Sequence, residues 1–153
     1  MLSAIPKMLE LLSRETKAHM NKFYVLVGSN INPEANIKAG LSEIHAHPDI
    51  NIIKKSSHYE SEPYGMDGDN FINLVMLMES AKDFSEVEKV LKHIESICGR
   101  VRDPKNKFTS RTLDLDIIDW NGFEGEINGK LFPDPEISKR TFIGIPYFEI
   151  KNQ

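Results

Sequence analysis

The chain has 153 residues, 23 Asp and Glu against 19 Lys and Arg, a formal net charge of −4, and 40 % hydrophobic residues. That composition belongs to one globular domain with a core of its own and excludes a disordered or fibrous chain. The acidic total argues against a broad nucleic-acid or anionic-membrane surface, no apolar run reaches the roughly 18 residues of a membrane span, and the single cysteine, Cys98, excludes an intrachain disulfide, as expected of a reducing cytoplasm.

Lys7 and Glu10 interrupt the first apolar stretch and no small-residue cleavage site follows, so it does not read as a signal peptide. Ile5, Met8, Leu9 and Leu12 have helical spacing. Residues 1–19 are expected to be an appendage outside the core fold, either helical or unstructured, and 20–153 the single domain; Met20 is an alternative translation start. Phe23 to Val27 is β-rich and bounded by a turn at Gly28-Ser29-Asn30, which predicts a strand. Asn32 as N-cap and Pro33 at the first helical position open a helix with the stripe Ile37, Leu41 and Ile44, closed by Pro48. Ile50 to Ser61 reads as one half-polar strand, and Pro63, Gly65, Gly68 and Asp69 as a loop. Phe71 to Met78 reads as a central strand. Asp83 and Glu86 form a capping-box pattern before the stripe Val87, Leu91, Ile94 and Cys98, with Gly99 as the stop. Thr112 to Trp120 is the next strand, and Leu131 to Gln153 gives mixed signals around three prolines. Strand, helix, strand, strand, helix, strand is the order of an α+β ferredoxin-like sandwich, an antiparallel sheet with two helices on one face.

The segment from Arg100 to Arg111 holds five cations (Arg100, Arg102, Lys105, Lys107 and Arg111) and one anion, Asp103, a local charge of +4 within a protein of −4. Pro104 and Asn106 make it a loop. Such a loop suits a polyphosphate, because Arg offers forked donors and Lys a point charge; a solvated basic loop has the same pattern. Alternation on the following strand puts the Asp114 and Asp116 carboxylates on one side and Leu113, Leu115 and Ile117 on the other. Paired carboxylates suit Mg²⁺, which takes one or two of them together with phosphate oxygens; surface acids neutralised by the nearby arginines are the alternative. No P-loop, no G-x-G-x-x-G and no serine nucleophile elbow occurs. His19, His45, His47, His58 and His93 show no zinc spacing with Cys98, and Cys98 reads as core.

Y-V-L-V-G-S-N (24–30), S-S-H-Y-E-S-E-P-Y-G (56–65), F-I-N (71–73), G-R-V-R (99–102) and S-R-T-L-D-L-D-I (110–117) occur in order. Together they resemble the 6-hydroxymethyl-7,8-dihydropterin pyrophosphokinase family of folate biosynthesis, over about residues 22 to 150. The resemblance implies a ferredoxin-like fold and transfer of pyrophosphate from MgATP to the pterin's hydroxymethyl oxygen, with release of AMP. It implies two Mg²⁺ ions on Asp114 and Asp116, and catalytic, phosphate-neutralising roles for Arg100 and Arg111. It places Glu95, Arg102, Ile117 and Arg140 with those arginines on the ATP side. It places the pterin between Phe71 and Phe142, with Asn73 reading its polar edge and Tyr64 and Gly65 giving backbone contacts. Stacking on aromatic faces and an amide that donates and accepts suit a flat pterin.

The chain departs from the family pattern where Phe108-Thr109-Ser110 replaces Trp-Gly-Pro and where Pro133-Asp134-Pro135 replaces a Pro-His-Pro motif. Asp134 is expected to repel nucleotide phosphates. Those departures motivate an alternative, a catalytically impaired pterin- or nucleotide-binding module of the same fold. A ferredoxin-like RNA-binding domain lacks support, because the aromatic-rich sheet motif is missing. The partners expected are therefore small molecules, with no nucleic acid and no membrane, acting on a cytoplasmic monomer.

Overall fold

A computed structural model describes residues 19–63, 68–99 and 112–153. The appendage expected over 1–19 therefore lies, except for His19, outside the described residues. The elements are β1 (Asn21–Ser29), α1 (Pro33–Ala46), β2 (Asn51–Lys55), β3 (Tyr59–Ser61), β4 (Phe71–Ser80), α2 (Phe84–Ile97), β5 (Asp114–Trp120), β6 (Gly125–Ile127), β7 (Lys130–Phe132), a 3₁₀ turn (Pro135–Ser138) and α3 (Thr141–Lys151). The sheet order is β2-β4-β1-β5, with β3 also pairing β4, and every pairing is antiparallel. β6 and β7 form a separate hairpin. The ferredoxin-like α+β expectation is met.

Side-chain alternation sorts the two faces of the sheet. Phe23, Val25, Val27, Leu74, Met76, Leu115 and Ile117 join Ile37 and Ile44 of α1 and Val87, Leu91 and Ile94 of α2 in the larger core. Leu26, Val75 and Ile118 point the other way and pack against Ile137, Ile143, Tyr147 and Ile150. That second layer was not expected. α3 is apolar nearly all round and contains Pro146, so it carries no amphipathic stripe to read. A Cβ built on Gly144 would lie 2.5 Å from the Ile137 carbonyl oxygen, so α3 sits flush on the 3₁₀ turn only because position 144 has no side chain.

Four local expectations change. β1 runs through Gly28 and Ser29 instead of turning there. Asn32 holds the cap position, but at φ 42° and ψ 56° its side chain makes no capping bond, since capping needs an extended backbone. The strand expected over Ile50–Ser61 is broken between Lys55 and Tyr59. There the Ser56 N–H donates to the Val75 carbonyl (2.9 Å), and Ser56 Oγ accepts from the Val75 N–H (2.9 Å), so a side chain fills a place in the ladder. The Ser57 N–H turns away to Glu149 Oε2 on α3 (2.6 Å). The capping box before α2 is half present, with the Asp83 carboxylate accepting from the Glu86 N–H at 2.9 Å.

Candidate active site

The site grows from one row of the sheet. Gly28 of the central β1 pairs with Asn73 of β4 on one side and with Asp114 of β5 on the other. Directly opposed residues share a face, and strands lie about 4.8 Å apart, so Asn73 and Asp114 stand about 10 Å apart on the same face. Between them there is no side chain. A Cβ on Gly28 would lie 3.2 Å from Asn73 Oδ1 and 3.6 Å from Phe71 Cδ1, so glycine keeps this floor flat.

On the Asn73 side the amide is 3 % exposed and is held by two contacts: Nδ2 donates to Ser61 Oγ at 2.7 Å and to the Tyr59 carbonyl at 3.3 Å. This fixes Oδ1 toward Gly28. Phe71 opens β4 beside it and is half-buried. Phe142 lies in the neighbouring cleft of about 490 Å³, with Tyr59, Ser61, Pro63, Lys139, Arg140 and Ile145. Arg140 Nε donates to Glu136 Oε2 at 2.9 Å, which fixes its stem at the start of α3.

On the β5 side the alternation is as expected. Leu113, Leu115 and Ile117 are buried in the larger core, while Asp114 and Asp116 are half-buried and share the other face. Core contacts on alternate residues thus hold the two carboxylates in parallel. They line a recess of about 140 Å³ with Glu88, Lys92, Glu95 and Lys130. Burial in the recess pushes the Asp116 carboxyl above its ordinary range; the neighbouring Lys130 ammonium opposes this, and the Asp114 and Asp134 charges add to it. Ile117 has its side chain in the core, so at the recess it offers its backbone.

The donors suit the ion that the sequence suggests. Two oxygen carboxylates are hard ligands, and Mg²⁺ completes its shell with water and phosphate instead of a protein cage. Among the described residues no group of three or more His, Cys, Asp or Glu converges on one point, as a self-sufficient metal cage would require.

Two groups act in ways the sequence pattern did not give. Glu95 is 1 % exposed, although it stands beside the apolar stripe of α2, and its carboxylate accepts from the Leu115 N–H at 2.8 Å. β5 is an edge strand, and this bond satisfies an edge amide between the two aspartates. Lys130, on the β6–β7 hairpin, reaches Asp116 Oδ1 at 2.6 Å. Neither contact leaves a trace in local spacing, because the partners are 20 and 14 residues apart. Asp134 is also not the bare charge expected. One oxygen caps the 3₁₀ turn through the Glu136 N–H at 2.9 Å, and the other lies 3.6 Å from Lys130 Nζ.

Cys98 packs against the larger core, and burial, followed by the Glu43 charge, raises its thiol above the ordinary range, as suits a packing residue. Arg100, Arg102, Arg111, Tyr64, Gly65 and the Phe108-Thr109-Ser110 departure lie outside the described residues.

A model of the family described as 7,8-dihydro-6-hydroxymethylpterin-pyrophosphokinase (HPPK) matches residues 24–152. A Bacillus subtilis protein named 2-amino-4-hydroxy-6-hydroxymethyldihydropteridine pyrophosphokinase is 30 % identical over 135 residues, covering 87 % of this chain and 80 % of its own length. A Haemophilus influenzae protein of the same name is 34 % identical over 130 residues, covering 83 % and 79 %. A Lactococcus lactis protein named bifunctional protein FolKE is 30 % identical over 133 residues, which are 86 % of this chain and 38 % of that protein.

Proposed function

The chain belongs to the 7,8-dihydro-6-hydroxymethylpterin-pyrophosphokinase family, and from that premise we propose how its residues divide the work. The reaction is pyrophosphoryl transfer from ATP to 6-hydroxymethyl-7,8-dihydropterin in folate biosynthesis, giving the pterin diphosphate and AMP. Residues 20–153 form the catalytic domain and 1–19 lie outside it; β1 begins at Asn21, and the family match begins at 24.

In this reading Asp114 and Asp116 hold two Mg²⁺ ions, which when bound neutralise the triphosphate and polarise its β-phosphorus. The observation that supports the reading is the Asn73–Gly28–Asp114 row, in which an amide and a carboxylate stand on one flat floor about 10 Å apart. Asn73 reads the pterin edge, Phe71 and Phe142 stack on its faces, and Tyr64 and Gly65 supply backbone contacts. Arg100 and Arg111 neutralise the transferring phosphates, with Arg102, Arg140, Glu95 and Ile117 completing the ATP side. Glu95 acts through β5, whose Leu115 amide it holds. The pterin hydroxyl attacks Pβ, the Pα–O–Pβ bridge breaks toward AMP, and the hydroxyl proton leaves to solvent. Phosphoryl chemistry of this kind needs positioning and charge neutralisation more than a strong base.

One chain carries both sides of the site, so the reading is of a monomer. It is placed in the cytoplasm, in keeping with one half-buried free cysteine. The Phe108-Thr109-Ser110 departure favours the second reading, a binding module without turnover. The test is AMP release from ATP with Mg²⁺, with and without the pterin. Pterin-dependent AMP is expected; calorimetric binding of both ligands without AMP would establish the second reading instead.

A further inference from the structure

Lys130 stands in the aspartate recess without a role in the reading above. It opens β7, and its Nζ donates to Asp116 Oδ1 at 2.6 Å and to the Ile117 carbonyl at 2.8 Å, with Asp134 Oδ2 3.6 Å away. The same ammonium lies 5.4 Å from the centre of the Phe132 ring. The Lys130 side chain is 34 % exposed and that of Asp134 only 12 %, so the ammonium is held on the inner side of the hairpin. Among the described residues the recess has one other ammonium, Lys92, which pairs with Glu88 at 3.3 Å.

Asp116 is thus an ion ligand in the proposed function and the ion-pair partner of Lys130 in the structure. A lone pair engaged by an ammonium at 2.6 Å is not available to a metal ion, and a fixed positive charge beside the carboxylate repels a divalent one. We propose that Lys130 competes with the divalent cation for Asp116, so that the nucleotide-free chain binds the ion weakly and the ion enters with the phosphates of ATP. Added phosphates supply the negative charge that lets the ammonium leave Asp116, while Asp134 keeps it on the hairpin. Lys130 is then a positioning residue that ties ion binding to nucleotide binding. The two events are coupled reciprocally. The inference rests on the reading of Asp114 and Asp116 as ion ligands.

The test is Mn²⁺ binding to the full chain without nucleotide, followed by the electron paramagnetic resonance signal of free Mn²⁺. Lys130→Met should tighten Mn²⁺ binding at least fivefold, and Lys130→Gln, which keeps a polar head on the hairpin, should do the same. Lys130→Arg should bind as weakly as the parent chain. Unchanged or weaker Mn²⁺ binding in both neutral variants overturns the proposal. The double variant Lys130→Met with Asp116→Asn separates the two ideas: loss of the tightened site supports both. Retention of the tightened site shows that Asp116 is not the ligand, and the inference falls with that reading.

Discussion

Two side chains on β5 bear the account at the scale of single residues. Asp114 and Asp116 point away from the core, and each is replaceable without opening a cavity, because Leu113, Leu115 and Ile117 do the packing. Asp114→Ala and Asp116→Ala should each lower turnover by at least about 100-fold, the scale of losing a positioned charge-stabilising group. Far-UV circular dichroism and the unfolding midpoint should hardly change. Full activity in either variant would defeat its ion-ligand role. The aspartates were legible because alternation on a strand is a local rule. Lys130 was not, and Glu95 was named by the family resemblance alone, because each meets the strand through a tertiary contact. The contacts of Asp134 were hidden for the same reason. Its charge looked repulsive in sequence, but the fold brings it against Lys130 and the Glu136 amide.

At the scale of elements, α3 is the piece that the sequence hid and the proposed site requires, because Arg140 and Phe142, assigned there to ATP and pterin, stand at its start. Two sets of contacts hold it. The Tyr147 hydroxyl donates to the buried Asp119 carboxylate, and Lys151 Nζ donates to the Tyr147 hydroxyl at 2.6 Å. On the other flank Glu149 accepts from the Ser57 N–H and, at 2.9 Å, from the Tyr59 hydroxyl. The Ser57 bonds lower the Glu149 carboxyl below the ordinary glutamate value of 4.5. A group whose folded pKa is depressed binds fewer protons folded than unfolded, so its stabilisation is present above that value and is lost as pH falls through the folded one. Glu149→Gln should therefore lower the unfolding midpoint at neutral pH and flatten its decline below pH 4.5. A thermal-melt series against pH checks this; parallel curves for the two proteins would show that the contact contributes nothing. The break at Ser56 belongs to the same latch. It frees Ser57 to face α3, a purpose that no strand pattern between Ile50 and Ser61 could announce.

Across the whole molecule, the net charge of −4 is a difference between separated populations. The basic stretch from Arg100 to Arg111 is followed at once by Asp114, Asp116 and Asp119. The total argues against a broad basic surface and conceals this juxtaposition. The element order and the larger core were readable because strands and amphipathic helices repeat at fixed periods. The second core was not, because α3 and the 3₁₀ turn bury residues that have no period. The register was not readable either, and it is what joins the parts. β1 at the centre of the sheet places one glycine between Asn73 and Asp114 in a single row.

At every scale the molecule serves to move a pyrophosphoryl group as one unit. Phosphorus NMR of the chain with ATP, Mg²⁺ and 6-hydroxymethyl-7,8-dihydropterin tests it most directly. AMP together with a pterin ester carrying two coupled phosphorus signals is the expected result. ADP together with a pterin monophosphate would contradict it.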